Sequence, residues 1–241
     1  MILPAILGVH AAGQSRTESP FYARRNTFGI FVGYSPDSSP ILLGAAENRK
    51  LVNIGASYSR RLFMNRIVNW QYDGELLPVV LESDPTAELI ANQTSPAAAT
   101  FTMDYGPVLD CTPESAQYVV TLSNGVTYSG TETVFCSGRR WTVGEGMSPV
   151  GLQWNFVPRR KLQPLFVGHG GFMYSTKPIP IVDAGSFNFT FDIGVGLEYY
   201  QSRNRSWRGE FRYHHISNHD TATENPGIDN LLYQLTYAFG R

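Results

Sequence analysis

The chain of 241 residues has few charged residues and no long apolar run. Lys, Arg, Asp and Glu together make up 16% of it, well below the ~25% of an average soluble domain. A stretch of ~18 or more apolar residues is absent, which excludes a transmembrane helix but not a transmembrane barrel, whose strands alternate. The net charge of −1 gives no indication of a nucleic-acid partner.

Cysteine is almost absent as well. The only two, Cys111 and Cys136, form no CxxC motif and lie in one irregular region. In an exported chain such a pair predicts a disulfide that closes this region, with two free thiols as the alternative. The nucleophile elbow GxSxG and the zinc motif HExxH are also missing, so the familiar soluble hydrolase and metalloprotease patterns do not apply.

The first residues resemble the end of a secretory signal. A short apolar run precedes Val9-His10-Ala11, which is similar to an A-x-A cleavage site, although no basic segment comes before it. We predict that residues 1–13 are the remainder of a signal peptide. Export is also what the barrel interpretation below requires.

Apolar and polar residues alternate with a period of two in segment after segment, which predicts β-strands. The eight segments are 27–34, 50–60, 67–77, 149–157, 162–174, 187–199, 205–217 and 229–239. The pattern is strongest in 187–199, where seven large apolar residues alternate with Asn188, Thr190, Asp192, Gly194, Gly196 and Glu198. Several segments approach the ~9–11 residues that a tilted strand needs to cross a bilayer.

The choice of inner face decides the class of protein. An eight-stranded barrel has an interior just wide enough for side chains, which the Phe-rich face of 187–199 would overfill. The polar face carries both signs of charge, and Trp and Tyr recur on the apolar face near strand ends, as in a membrane-interface girdle. We therefore predict an all-β, eight-stranded antiparallel transmembrane barrel with a polar interior. A soluble calycin-like barrel that binds a hydrophobic ligand is the weaker alternative.

The connections alternate between short and long, as in outer-membrane barrels. Residues 14–241 are expected to form a single barrel domain, and the long segment 78–148 an extracellular loop with a hairpin insertion. The hairpin is predicted over 118–128, with Asn124-Gly125 as its turn.

One end of the last two strands combines a base, a hydroxyl and a carboxylate. His215 and Ser217 share a strand face with the aromatic side chains before them, and Asp229 begins the next strand. Because the two strands are antiparallel neighbours, the three side chains are expected at the same outer rim. A His beside a Ser can form an activated nucleophile. The structural alternative is that rim positions lie at the membrane interface and tolerate polar residues.

The other polar residues near this rim give weaker indications of a functional site. His214 has the opposite parity and is expected to join Arg212 and Glu210 in the interior. Since His214 and His215 point to opposite faces, we expect the histidines around Asp220 to form no metal site, and we expect no cofactor.

The motif His215-Ile-Ser217-Asn218, followed by Asn225-Pro-Gly-Ile-Asp229, resembles the outer-membrane lipid A 3-O-deacylase (PagL-like) family. The resemblance covers roughly 147–241, and it includes the spacing of 14 between the histidine and the acid. It implies a serine esterase in which Ser217 is the nucleophile, His215 the base and Asp229 the third member of the triad. Asn218 is the expected contributor to the oxyanion site, by side chain or backbone.

The resemblance also implies the substrate and the location. The expected partners are lipid A, as part of lipopolysaccharide, and other outer-membrane lipids, and the reaction removes the ester-linked 3-hydroxyacyl chain at position 3. The competing hypothesis is a non-catalytic outer-membrane barrel with a structural or lipid-binding role. Two features differ from most of the family: the acid is an Asp rather than a Glu, and His219 follows the motif in place of a small residue.

Overall fold

The computed structural model describes residues 21–241, so the predicted signal segment 1–13 lies outside the described residues. Residues 21–241 contain ten strands, and no helix among them has the length and apolar character to cross a membrane. The strands are β1 (Asn26–Ser35), β2 (Lys50–Met64), β3 (Val68–Ser95), β4 (Ala99–Pro107), β5 (Glu114–Thr121), β6 (Thr127–Phe156), β7 (Leu162–Ser175), β8 (Phe187–Ser202), β9 (Arg205–Ser217) and β10 (Ile228–Gly240).

Eight of these strands close into an antiparallel barrel. The sheet runs in the order β4-β3-β2-β1-β10-β9-β8-β7-β6-β5, and an additional pairing of β3 with β6 closes it. The barrel wall is therefore β1, β2, β3, β6, β7, β8, β9 and β10, which are the eight segments that alternation predicts. The predicted eight-stranded antiparallel barrel is confirmed.

The orientation of the faces also agrees with the prediction. Phe189, Phe211 and Tyr233 are 43%, 39% and 57% exposed, although they are large apolar or aromatic side chains. Their neighbours Asn188 and Asp192 on β8 are buried inside the barrel. A closed barrel with an apolar exterior and a polar interior satisfies its backbone without edges in lipid, so this is a membrane-spanning barrel.

Ion pairs neutralise the charges in the interior. Arg212 contacts Glu75 at 2.8 Å, Glu210 at 2.7 Å and Asp192 at 3.3 Å. His214 is turned inward as expected, with Nδ1 3.8 Å from a carboxylate oxygen of Asp192. Because both signs of charge face each other across the barrel, the polar interior is filled by side chains that compensate one another.

The segment 78–148 differs from the predicted loop. Strands β3 and β6 contain 28 and 30 residues, and they continue well beyond the barrel wall with β4 and β5 at their edges. The predicted hairpin is present as β5 and the start of β6, and its turn is closed by the bond from Leu122 N to Val126 O. Gly125 in this turn has a φ of +79°, which favours glycine. We call the four-stranded sheet of residues 86–135 the extension.

The base of the extension is tied to the barrel mouth. Cys111 and Cys136 form a disulfide that joins the β4–β5 connection to β6. The buried Arg49 lies 3.4 Å from Asp84 and donates to the carbonyl oxygens of Val108 and Leu109. The contacts of Arg49 fix the β4–β5 connection against the loop between β1 and β2.

Candidate active site at the outer rim

The pairing of β9 with β10 places the predicted site residues at one rim, with His215 and Asp229 in contact and the Ser217 hydroxyl bonded to Asn225. Asp229 lies directly opposite His215 in the register, and Ser217 follows two residues later on the same face of β9. The distance from His215 Nδ1 to Asp229 Oδ1 is 2.7 Å. His215 and Ser217 are partly exposed on the outer side, beside Phe191 and Phe189 of β8.

Asp229 is fully buried, because the segment after β1 covers it. Its Oδ2 accepts hydrogen bonds from the backbone N–H groups of Ile41, Leu42 and Leu43, at 3.2, 2.7 and 2.9 Å. Gly44 makes this approach possible, since a Cβ there would come within 2.6 Å of the backbone nitrogen of Asp229. Several donors around one carboxylate favour its anionic form.

The contact with Asp229 determines which nitrogen of His215 is basic. Nδ1 donates to the carboxylate, which leaves Nε2 free to accept a proton. Gly227 has a φ of +62°, and a Cβ at this position would lie 3.0 Å from Cε1 of the imidazole. The glycine therefore provides the space in which the ring stands.

The hydroxyl group of Ser217 is held by the loop between β9 and β10. Ser217 Oγ donates to Asn225 Oδ1 at 2.9 Å and accepts from the backbone N–H of His219 at 3.1 Å. His219 and Asp220 both have a positive φ, of 52° and 59°, which turns the chain sharply after Asn218. Backbone strain of this kind is common where a site needs a fixed geometry.

Asn218 is buried and its side-chain donors are already engaged. Nδ2 donates to the carbonyl oxygens of Ala184 and Glu224, and the backbone N–H of Asn218 donates to Asn225 Oδ1 at 3.2 Å. Asn218 thus links the loop after β7 to the loop after β9. The side chain has no free N–H for an oxyanion, so a role for Asn218 there remains a prediction that this geometry does not favour.

Three contacts of the site were not anticipated from the sequence. The phenol of Tyr213 donates to Asp229 Oδ1 at 2.8 Å, although the alternation identified it only as a lipid-facing aromatic residue. The motif that contains Asn225 does not indicate that its side chain accepts a hydrogen bond from Ser217. The backbone donors of 41–43 have no residue-type signal, because any residue except proline supplies an N–H.

A second cluster of titratable groups lies inside the barrel. Ligand atoms of Asp73, Glu75 and His169 lie within 4.8 Å of one another. Both acids already face arginines, since Asp73 is 3.3 Å from Arg208 and Glu75 is 2.8 Å from Arg212. The cluster therefore belongs to the interior ion network.

Taken together, the fold and this rim define an outer-membrane barrel with a buried carboxylate, a histidine and a serine on its outer wall. A family model described as Lipid A 3-O-deacylase (PagL) matches residues 112–238, more than half of the chain. The chain belongs to this lipid A 3-O-deacylase family of outer-membrane hydrolases. The non-catalytic barrel is thus not favoured. No curated protein matches the chain.

Comparison with solved structures matches this chain to outer-membrane proteins at low sequence identity. The crystal structure of the outer membrane enzyme PagL is 11% identical, with 88% of this chain and 99% of that chain covered and a TM-score of 0.48. Neisserial surface protein A is 8% identical, with 90% and 97% covered and a TM-score of 0.45. LpxR from Salmonella typhimurium is 7% identical, with 89% and 100% covered and a TM-score of 0.26. The barrel assignment here rests on the strand register of this chain.

Proposed function

We propose that Ser217, His215 and Asp229 form the catalytic triad with which this protein removes the ester-linked 3-hydroxyacyl chain from position 3 of lipid A. The observation that carries the proposal is the 2.7 Å contact between His215 Nδ1 and the buried carboxylate of Asp229, beside a serine on the same strand face. An imidazole whose Nδ1–H is held by a carboxylate keeps Nε2 as its basic nitrogen, which is the state that a general base for a serine needs.

The first half of the reaction transfers the acyl chain to the enzyme. The Ser217 hydroxyl leaves Asn225 by rotation about χ1 and gives its proton to His215 Nε2 while Oγ bonds to the ester carbonyl carbon. The tetrahedral intermediate then breaks its bond to the sugar oxygen, which takes the proton from His215 as the alcohol departs. Asp229 stabilises the imidazolium between the two transfers.

The second half releases the acyl chain. His215 removes a proton from water, whose oxygen bonds to the acyl carbon. Collapse of this second intermediate breaks the bond to Ser217 Oγ, which takes back the proton. The products are a free 3-hydroxy fatty acid, lipid A with a free 3-hydroxyl group and the regenerated serine.

The developing oxyanion needs a donor close to the nucleophile. The backbone N–H of His219 donates to Ser217 Oγ at 3.1 Å, whereas the side-chain N–H groups of Asn218 already donate to the carbonyl oxygens of Ala184 and Glu224. We assign the main oxyanion contact to this N–H group. Loss of one such donor typically costs ~3–4 kcal/mol of transition-state stabilisation.

The outer wall below the rim fits an acyl chain. An apolar furrow of about 560 Å³ crosses β8, β9, β10 and β1, and Val195, Phe211 and Leu235 are among its lining residues. Phe211 is four residues from His215, or about 13 Å along β9. A lipid that diffuses laterally in the membrane can place its chain in this furrow and its ester at the rim without leaving the bilayer.

The test is deacylation of purified lipid A by single-residue variants, followed by mass spectrometry of released 3-hydroxy fatty acid. Ser217→Ala and His215→Gln are expected to reduce the rate by at least ~10³-fold, because each removes a participant in bond making. The shift in gel mobility on heating reports that the barrel is still folded.

Two matched controls accompany these variants. His214→Gln changes the adjacent histidine, which faces the interior, and Ser123→Ala changes an exposed serine in the turn after β5. Both are expected to deacylate at close to the wild-type rate. Release of fatty acid by a folded Ser217→Ala variant would remove Ser217 from the role of nucleophile.

A further inference from the structure

The extension presents two chemically different faces. The register places Met103, Leu89 and Val134 in one row across β4, β3 and β6, and Phe101 in the next row. This face, which we call the outer face, also carries Tyr118 and Val120 of β5. Phe101, Met103 and Val120 are 57%, 55% and 50% exposed, so nothing within residues 21–241 covers it.

The opposite side of the same four strands, which we call the inner face, is mostly polar. Its polar residues include Asn92, Thr100, Thr102, Gln117, Thr131 and Thr133, and Ile90, Val119 and Phe135 are its apolar members. Threonine, serine and amide side chains are stable in water on a half-exposed sheet, whereas a predominantly apolar face normally packs against a second layer. The asymmetry indicates that the outer face has a partner and that the inner face is solvated.

The outer face continues the exterior of the barrel. Counting along β3 from Leu81 in steps of two leads to Leu89, and on β6 Trp141 and Val143 are exposed on the same side at 52% and 49%. The extension is also a firm platform, since the Cys111–Cys136 disulfide and Arg49 anchor its base. A partner that covers this face therefore lies beside the barrel and not over its mouth.

The charge of the extension argues against the lipopolysaccharide surface as that partner. Residues 86–135 contain five acidic residues and no Lys, Arg or His. Phosphate-bearing lipid headgroups would be repelled by such a surface rather than bound to it. The outer face of a second copy of this chain, which is apolar and has the same shape, is a better fit to this surface.

We propose that the outer face is the interface of a homodimer whose two-fold axis runs along the membrane normal. Two copies inserted in the same direction can be related only by such an axis, which brings the outer faces together as two packed sheets. The seam of β3 and β6 lies three strands from β9 and β10 in both directions around the barrel. The rim with Ser217 thus faces lipid on the far side of each copy.

Symmetry specifies the contacts. Leu89 of one copy faces Val134 of the other, and β4 of one copy lies over β5 of the other. Four strands about 4.8 Å apart and about eight residues long present about 500 Å² per copy, or about 1,000 Å² in total. This reaches the area at which specific interfaces begin.

Acidic residues on the outer face do not oppose each other in this arrangement. Glu114 shares the row of Met103 on the outermost strand, so it faces Met103 of the other copy, and Glu132 faces Ala91. Glu132 lies on a central strand and would lose water on association, which costs free energy. Its charge therefore sets a limit on the strength of the dimer.

The experiment measures the molecular mass of the full chain in lipid nanodiscs, with cross-linking in intact membranes. Wild type is expected to be a dimer, and Phe101→Glu combined with Met103→Glu to be a monomer that still deacylates lipid A. Thr100→Glu combined with Thr102→Glu puts the same charges on the inner face of the same strand and is expected to stay dimeric. Protection of the extension from protease verifies that each variant is folded.

A second variant strengthens the interface. Glu132→Gln is expected to tighten the dimer about tenfold or more, because it removes a charge that association dehydrates. Glu88→Gln, on the inner face, is expected to leave the dissociation constant unchanged. A monomeric wild type, a dimer that survives the Phe101 and Met103 substitutions, or equal effects of the two double variants would overturn the proposal.

Discussion

At the scale of single residues, the candidate site is held largely by backbone groups. The three N–H donors of 41–43 satisfy Asp229 Oδ2, while His215 and Tyr213 satisfy Oδ1. The carboxylate thus has a fixed position before substrate binds. Such preorganisation matters because a reacting group displaced by about 1 Å can lose ~10²-fold in rate.

Gly44→Ala tests this arrangement without altering any proposed catalytic group. The added Cβ would come within 2.6 Å of Asp229 N and 3.0 Å of Asp229 Cγ, so the covering segment must move and its donors must leave the carboxylate. We expect kcat to fall by about 10- to 100-fold with little change in KM. Steady-state kinetics on lipid A measure both.

Gly170→Ala is the matched control for that substitution. Nothing lies within 4 Å of a Cβ at Gly170, so the same chemical change is accommodated on β7. Its kinetics are expected to remain at the wild-type level. A rise in KM with unchanged kcat in Gly44→Ala would instead assign the covering segment to substrate binding.

At the scale of secondary-structure elements, alternation in the sequence was sufficient to predict the barrel strands but not the strands of the extension. The segment 187–199 alternates large and small residues because one side faces lipid and the other a narrow interior. In 86–107 neither side of the single sheet faces a narrow interior. Neither face therefore requires small side chains, and the alternation in the sequence is weaker. The length of β3 and β6 therefore could not be predicted from periodicity.

Arg212→Met tests the interior network that holds these strands together. The substitution leaves Glu75, Glu210 and Asp192 without their shared cation inside the barrel. We expect a loss of about 3–5 kcal/mol in the free energy of unfolding, since breaking a buried ion pair leaves uncompensated charge. Denaturant titration in lipid vesicles, followed by tryptophan fluorescence, measures it.

Arg205→Met provides the comparison on the same strand. Arg205 is exposed at the start of β9, so its replacement is expected to change stability by less than ~0.5 kcal/mol. Equal stability of the two variants would show that the interior charges are compensated by other means than Arg212.

At the scale of the whole molecule, the barrel separates the rim that carries Ser217 from the outer face of the extension. The sequence predicted the meeting of His215, Ser217 and Asp229, because two antiparallel neighbours joined by one loop must bring these ends together. The covering of Asp229 by residues almost 190 positions earlier follows only from barrel closure through β1 and β10. Long-range closure has no local signal, so this part of the site required the structure.

The membrane position of the barrel is tested by two variants, each of which introduces one arginine at a different height along the barrel axis. Ile193 lies at the centre of the apolar run on β8, facing outward, and Val119 is 72% exposed on the extension. Ile193→Arg is expected to lower the unfolding free energy in vesicles by about 2–4 kcal/mol, the cost of an arginine at the bilayer midplane. Val119→Arg stays in water and is expected to cost almost nothing. If both variants lost the same stability, the apolar belt would not lie where the exposed residues of β8 place it.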